Sequence, residues 1–114
     1  MSNIQHKKLA SGRWAKLSLV EQMANIGSEV FRAISWKNKS NKEYSKLAFY
    51  RALELIDLTV EEYKNSYPKL KEILRVREML VDYFAGENKY NSTDKQWEKY
   101  FYAFNYAAQK RKNK

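Results

Sequence analysis

Thirteen carboxylates, one histidine and no cysteine are the groups with which this 114-residue chain could do acid–base or metal chemistry. His6 sits near the amino terminus, in a stretch without a single acid. Glu54, Asp57 and Glu61 recur at helical spacing on one segment, and Glu72 and Glu78 follow on the next. Oxygen ligands in that number suit a hard cation, but the same spacing describes a solvated charged strip. Inward Glu-x-x-His pairs, the signature of carboxylate-bridged diiron bundles, require a histidine that the chain lacks after position 6. A helix-borne ribonuclease motif of arginine, short polar spacer and histidine fails for the same reason. Neither a Gly-rich phosphate loop nor a Ser/His/Asp pattern is present. The expectation is a protein that is not an enzyme, with no catalytic residue, no metal site and no cofactor.

Charge points elsewhere. The net charge is +9, and it is unevenly placed. Residues 1–16 hold Lys7, Lys8, Arg13 and Lys16, and residues 109–114 hold Lys110, Arg111, Lys112 and Lys114, with no acid in either stretch. The remaining body is nearly balanced, with 14 basic and 13 acidic residues. Two basic ends of this kind attract phosphate polymers by releasing condensed counterions, or serve as solvating tails. These eight residues are the expected nucleic-acid contacts, with RNA or DNA as partner.

Rings are the third group. The chain has nine tyrosines, five phenylalanines and three tryptophans. The segment KQWEKYFYAFNYAAQKRK puts aromatics on nearly every side of one helix. Trp97, Phe101, Phe104 and Ala108 form its inner face, which leaves Tyr102 and Tyr106 without an internal destination. Tyrosine and tryptophan at a surface mark protein interfaces or stacking platforms for bases. Trp36, Trp97, Tyr102 and Tyr106 are therefore the expected protein-interface residues, and self-assembly is expected through them.

Periodicity supplies the elements that carry these groups. Only three glycines and one proline interrupt the chain, which argues for an all-α fold. Ser18 and Glu21, Ser40 and Glu43, and Thr93 and Gln96 each have capping-box spacing, and Pro68 suits the first turn of a helix. Four helices follow. Leu19, Met23, Ile26, Val30 and Ile34 mark the first, with Gly27 explained by close approach of a neighbour. Leu47, Ala48, Phe49, Ala52, Leu55 and Ile56 mark the second, over Ser40 to Tyr63. That helix is apolar around most of its girth and should lie in the middle, wrapped by the others. Leu70, Ile73, Leu74, Leu80, Val81 and Phe84 mark the third, which Gly86 ends. Arg51 and Arg77 fall at core-facing positions, either in internal ion pairs with Glu29, Glu54 or Asp57 or facing an interface or ligand. Trp14 should dock on the bundle as a packing anchor. Short loops favour an antiparallel up-down-up-down four-helix bundle over residues 17–108, with a basic arm at 1–16 and a basic tail at 109–114. No apolar run could span a bilayer, the amino terminus lacks the apolar core of a secretory signal, and cysteine is absent. The chain is therefore read as soluble, cytoplasmic and without a membrane partner.

A short, basic, four-helix chain of this kind resembles a superfamily of small bacterial proteins. It includes the proteins encoded in intervening sequences of large-subunit ribosomal RNA genes and the accessory variability determinant (Avd-like) proteins of diversity-generating retroelements. The likeness covers residues 18–108 in helix number, helix length, short loops and basic excess. The segments EQMANIGSEVFRAISWKNKSNKEYSKLAFYRALELIDLT and KYFYAFNYAA also look like a recurring family of uncharacterised helical proteins. The resemblance implies a homopentameric bundle, and an accessory protein that binds nucleic acid and a reverse transcriptase. It carries no catalytic motif, and the balanced charge of this chain's body departs from the strongly basic surface of those relatives.

Overall fold

The computed structural model of the chain describes residues 12–112, with side chains through Arg111. Lys7, Lys8 and Lys114, expected to contact nucleic acid, lie outside the described residues, as does the side chain of Lys112. The fold is all-α, with four helices: α1 (Leu19–Asn38), α2 (Lys42–Glu62), α3 (Tyr67–Ala85) and α4 (Asp94–Lys112). Among the described residues a 3-10 turn, Trp14–Lys16, precedes them, and there is no strand.

Local chemistry sets where the helices begin. Ser18 caps α1 with a complete box: its Oγ accepts from the Glu21 N–H at 3.2 Å, and Glu21 Oε1 accepts from the Ser18 N–H at 3.0 Å. Thr93 and Gln96 repeat this at α4, at 3.2 and 3.0 Å. The expected Ser40–Glu43 box at α2 does not form. Ser40 takes a left-handed backbone with φ of 62°, whereas a capping residue is normally extended. The cap moves on by one residue, and Asn41 Oδ1 accepts from the Tyr44 N–H at 3.0 Å. Pro68 lies in the first turn of α3, where its missing N–H leaves no helical bond unmade. At the other end, the Gly86 N–H closes onto the carbonyls of Val81 and Asp82.

The helices pack in the spatial order α3–α2–α1–α4, with α1 between α2 and α4, and α2 between α1 and α3. This corrects the expectation that α2 is wrapped by the others. It has two principal neighbours, so a third side stays open: Tyr44, Leu47 and Tyr50 are exposed there, Leu47 by 37%. Leu74, expected in the core of α3, is 44% exposed because Ile73, Val76 and Leu80 take the buried row. Met23, Ile26, Val30, Ala33 and Ile34 of α1 and Ala48, Phe49, Ala52, Leu55 and Ile56 of α2 form the centre. Gly27 is a point of close approach between α1 and α4. A Cβ built on it would stand 2.7 Å from the Cβ of Phe101.

The turn before α1 is fastened to this core. Trp14 is buried, and its indole N–H donates to Thr59 Oγ1 on α2 at 3.0 Å. Its carbonyl accepts from Gln22 Nε2 at 2.9 Å. Thr59 in turn donates to the Leu55 carbonyl at 2.8 Å. Trp14 is thus a packing anchor, as its position in the sequence suggested.

The charged residues at core-facing positions are paired. Arg77 Nε donates to Asp57 Oδ1 at 2.8 Å across α3 and α2. Arg51 Nε approaches the buried carboxylate of Glu29 at 3.5 Å, and Arg32 donates to the same carboxylate at 2.9 Å. At another point Lys37 Nζ donates to Asp94 Oδ1 at 2.6 Å and to Tyr83 OH at 2.7 Å, and Tyr83 OH also donates to Asp94. This cluster ties α1, α3 and the start of α4. Burial would raise the Asp94 carboxyl, but hydrogen bonds from Lys37, Tyr83 and Asn38 together hold it below its usual value. Burial would lower the Lys37 ammonium, but its bonds to Asp94 and Tyr83 raise it instead. A depressed carboxylate contributes stability that is complete above its unfolded pKa and is lost as pH falls through the folded one. A raised ammonium contributes stability that is complete below its unfolded pKa and is lost as pH rises through the folded one. Asp94→Asn should therefore flatten the fall in thermal stability below about pH 4. The effect should stay under about 1 kcal/mol because the pair is partly exposed. Thermal melts of both proteins between acid and neutral pH measure it.

Candidate interaction face on the last helix

Helix α4 carries two of the exposed tyrosines, Tyr102 and Tyr106, together with several exposed cations. Its buried row runs Trp97, Phe101 and Ala108 against α1. Side chains three and four residues apart share one helix face, so the far side reads Lys95, Lys99, Tyr102, Tyr106 and Lys110. All five are exposed. Tyr102 is 62% and Tyr106 58% accessible, and their rings stack at 6.5 Å with 28° between planes. Beside Tyr102, Phe31 of α1 contributes to a shallow open depression of about 360 Å³ that also takes in Glu98 and Lys99. The result is a pair of rings with cations on both sides and a partly buried third ring next to it.

Trp97 departs from the sequence expectation. It was expected at a protein interface, but it is a core residue, 5% exposed. Its ring stacks on Phe101 at 5.9 Å and meets Tyr100 edge-on at 6.0 Å. The physical reason is register. Trp97 and Phe101 stand one turn apart, so the face that packs on α1 takes both rings. Trp36 is half-buried, T-shaped against Tyr44 at 4.9 Å and covered by Lys39 Nζ at 5.1 Å. It lies on α1 and is not part of the α4 stripe.

Among the expected cations, Arg13 and Lys16 are exposed on the turn before α1, and Lys110 and Arg111 are exposed on α4. Helix α4 continues to Lys112, so these residues are helical where a tail was expected from 109. Leu17 and Glu21 line one small depression together with Ala108 and Gln109. Arg13 and Lys16 therefore lie at the same end of the fold as Lys110 and Arg111. Lys95 and Lys99 were missed by attention to the tails. Their signal was present, since steps of four, three, four and four residues from Lys95 reach Lys110 through both tyrosines.

Three of the five carboxylates at helical spacing on α2 and α3 have other partners. Asp57 pairs with Arg77, Glu61 accepts from Lys64 at 2.7 Å, and Glu78 accepts from Tyr90 OH at 3.0 Å. No group of three or more His, Asp or Glu side chains among the described residues is placed to hold a metal ion. No described helix is long and apolar enough to cross a membrane. The fold and this face define an all-α four-helix protein with one aromatic and basic helix surface. Comparison with protein families, with curated proteins and with solved structures finds no match.

Proposed function

We propose that the protein is a non-catalytic accessory protein that binds single-stranded nucleic acid along the outer face of α4. The observation that carries this reading is the exposed Tyr102–Tyr106 stack set among Lys95, Lys99 and Lys110. Bases stack on such rings whatever their sequence, each at about 1–3 kcal/mol by alanine substitution, while lysines follow the phosphates. Arg13, Lys16 and Arg111 extend the positive surface at one end of the bundle. Resemblance to the Avd-like superfamily extends the reading to a self-assembling particle, with a pentamer as its form and a reverse transcriptase as its protein partner.

The test is binding of a fluorescent single-stranded oligonucleotide followed by anisotropy. Tyr102→Ala and Tyr106→Ala should each weaken binding by roughly 5- to 100-fold, with unchanged thermal stability because both rings are exposed. Lys95→Gln with Lys99→Gln should flatten the salt dependence. Binding that ignores all four substitutions would refute the assignment to α4.

A second reading is an oligomerisation or protein-interaction scaffold without nucleic-acid binding. It is favoured by the separate exposed patch of Tyr44, Leu47 and Tyr50 on α2. Mass in solution at low and high salt, with and without RNA, separates the two. A defined assembly that is indifferent to RNA selects the scaffold.

A further inference from the structure

The opposite side of α4 carries an independent feature. Helices α3 and α4 do not pack closely along their length, and a partly open cleft of about 380 Å³ lies between them. Val76 and Met79 of α3 and Trp97 and Tyr100 of α4 line it, with Tyr90 and Ser92 from the connecting loop. Its surface is mostly apolar and aromatic, and its volume falls at the small end of ligand sites, which run about 300–1,000 Å³.

Three of the lining residues each carry a solvent-inaccessible polar atom with no hydrogen-bond partner: Trp97 Nε1, Tyr100 OH and Ser92 Oγ. Trp97 and Ser92 are 5% and 7% exposed. Buried polar groups without partners are uncommon, because each forfeits its hydrogen bonds to water without replacement. Of the four such atoms among the described side chains, three gather here. An indole N–H is a donor only, so its partner must be an acceptor. Burial, and then the nearby charge of Glu72, hold the Tyr100 hydroxyl well above its usual pKa, so it keeps its proton and can donate too. Among the lining residues Glu72 and Arg75 carry opposite charges, which favours a guest without net charge.

We propose that the cleft between α3 and α4 binds a small neutral aromatic molecule bearing a carbonyl acceptor. The ring lies among Trp97, Tyr100, Val76 and Met79, and the side chains shift to bring the Trp97 N–H and Tyr100 O–H, otherwise closed to solvent, onto the carbonyl oxygen. This site does not use the Tyr102–Tyr106 face and stands whether or not the chain binds nucleic acid.

The probes are 1-indanone, coumarin and benzamide, with indane as the matched hydrocarbon. Nitrogen-15 correlation spectra of the intact chain give separate indole N–H signals for Trp14, Trp36 and Trp97, the last assigned with Trp97→Phe. The expected result is a saturable shift of the Trp97 signal by at least one carbonyl probe at millimolar concentration or below, with little change from indane. Tyr100→Phe should weaken that probe about three- to tenfold while leaving the melting temperature equal or higher, since it removes a hydroxyl with no internal partner. Because this variant keeps the ring, and Trp14→Phe and Trp36→Phe assign the other two indole signals and so the third by elimination, the test does not depend on Trp97→Phe folding. The proposal is overturned if none of the three probes shifts the Trp97 signal saturably. It is equally overturned if indane acts as strongly as 1-indanone, or if all three indoles respond alike.

Discussion

Phe101→Ala should destabilise the protein by about 3–5 kcal/mol, the usual range for deleting a buried phenylalanine. That is a large part of the roughly 5–15 kcal/mol that holds a domain of this size together. Phe101 is fully buried, stacks on Trp97, and fills the groove left by Gly27. Urea unfolding measures the loss. The companion change, Gly27→Ala, makes the argument sharper. By helix propensity alone it should stabilise by about 1 kcal/mol. The new methyl would stand 2.7 Å from Phe101 Cβ, an atom fixed to the backbone of α4, and overpacking of this kind costs about 1–3 kcal/mol. The net expectation is destabilisation. Combined with Phe101→Ala it should be relieved only in part, because alanine removes the ring carbons 3.0 Å from the new methyl but keeps the Cβ at 2.7 Å. An additive double mutant would show that the Phe101 ring takes no part in the clash.

Trp14→Ala should have a comparable effect, about 3–5 kcal/mol, although Trp14 lies before the first long helix. The ring is buried and its N–H is spent on Thr59, 45 residues further along the chain. Trp14→Phe keeps most of the apolar area and gives up the hydrogen bond, so about 1 kcal/mol is expected. Thermal melts of the two variants separate packing from hydrogen bonding. The result also bears on truncation. Removing residues 1–16 to eliminate amino-terminal charge would remove the anchor with it. Truncation at residue 11 keeps Trp14 and tests the charge of Lys7 and Lys8 by itself.

Helix number, helix type and two of the three caps were legible because each is written in local spacing. Apolar residues every three or four positions and S-x-x-E or T-x-x-Q before them need no knowledge of the partner helix. The Ser40 box was misread because the backbone between α1 and α2 turns left-handed at Ser40, a choice set by how two helices join. Leu47 and Leu74 were placed inside because pattern gives the apolar face without saying how many neighbours cover it. Trp97 was assigned two roles at once, and register on α1 decided between them. The Tyr102–Tyr106 surplus was legible for the converse reason: one face of α4 suffices for its own core. The α3–α4 cleft was invisible in sequence, since it depends on two helices failing to meet.

The spatial order α3–α2–α1–α4 makes the molecule a spine with two leaves. The inner pair carries most of the central packing, whereas each outer helix rests chiefly on one neighbour. Cooperative units of unequal strength open separately in native proteins. Amide exchange should accordingly be slowest in α1 and α2, and detachment of α4 would bare the trough around Gly27 on a chain otherwise still folded.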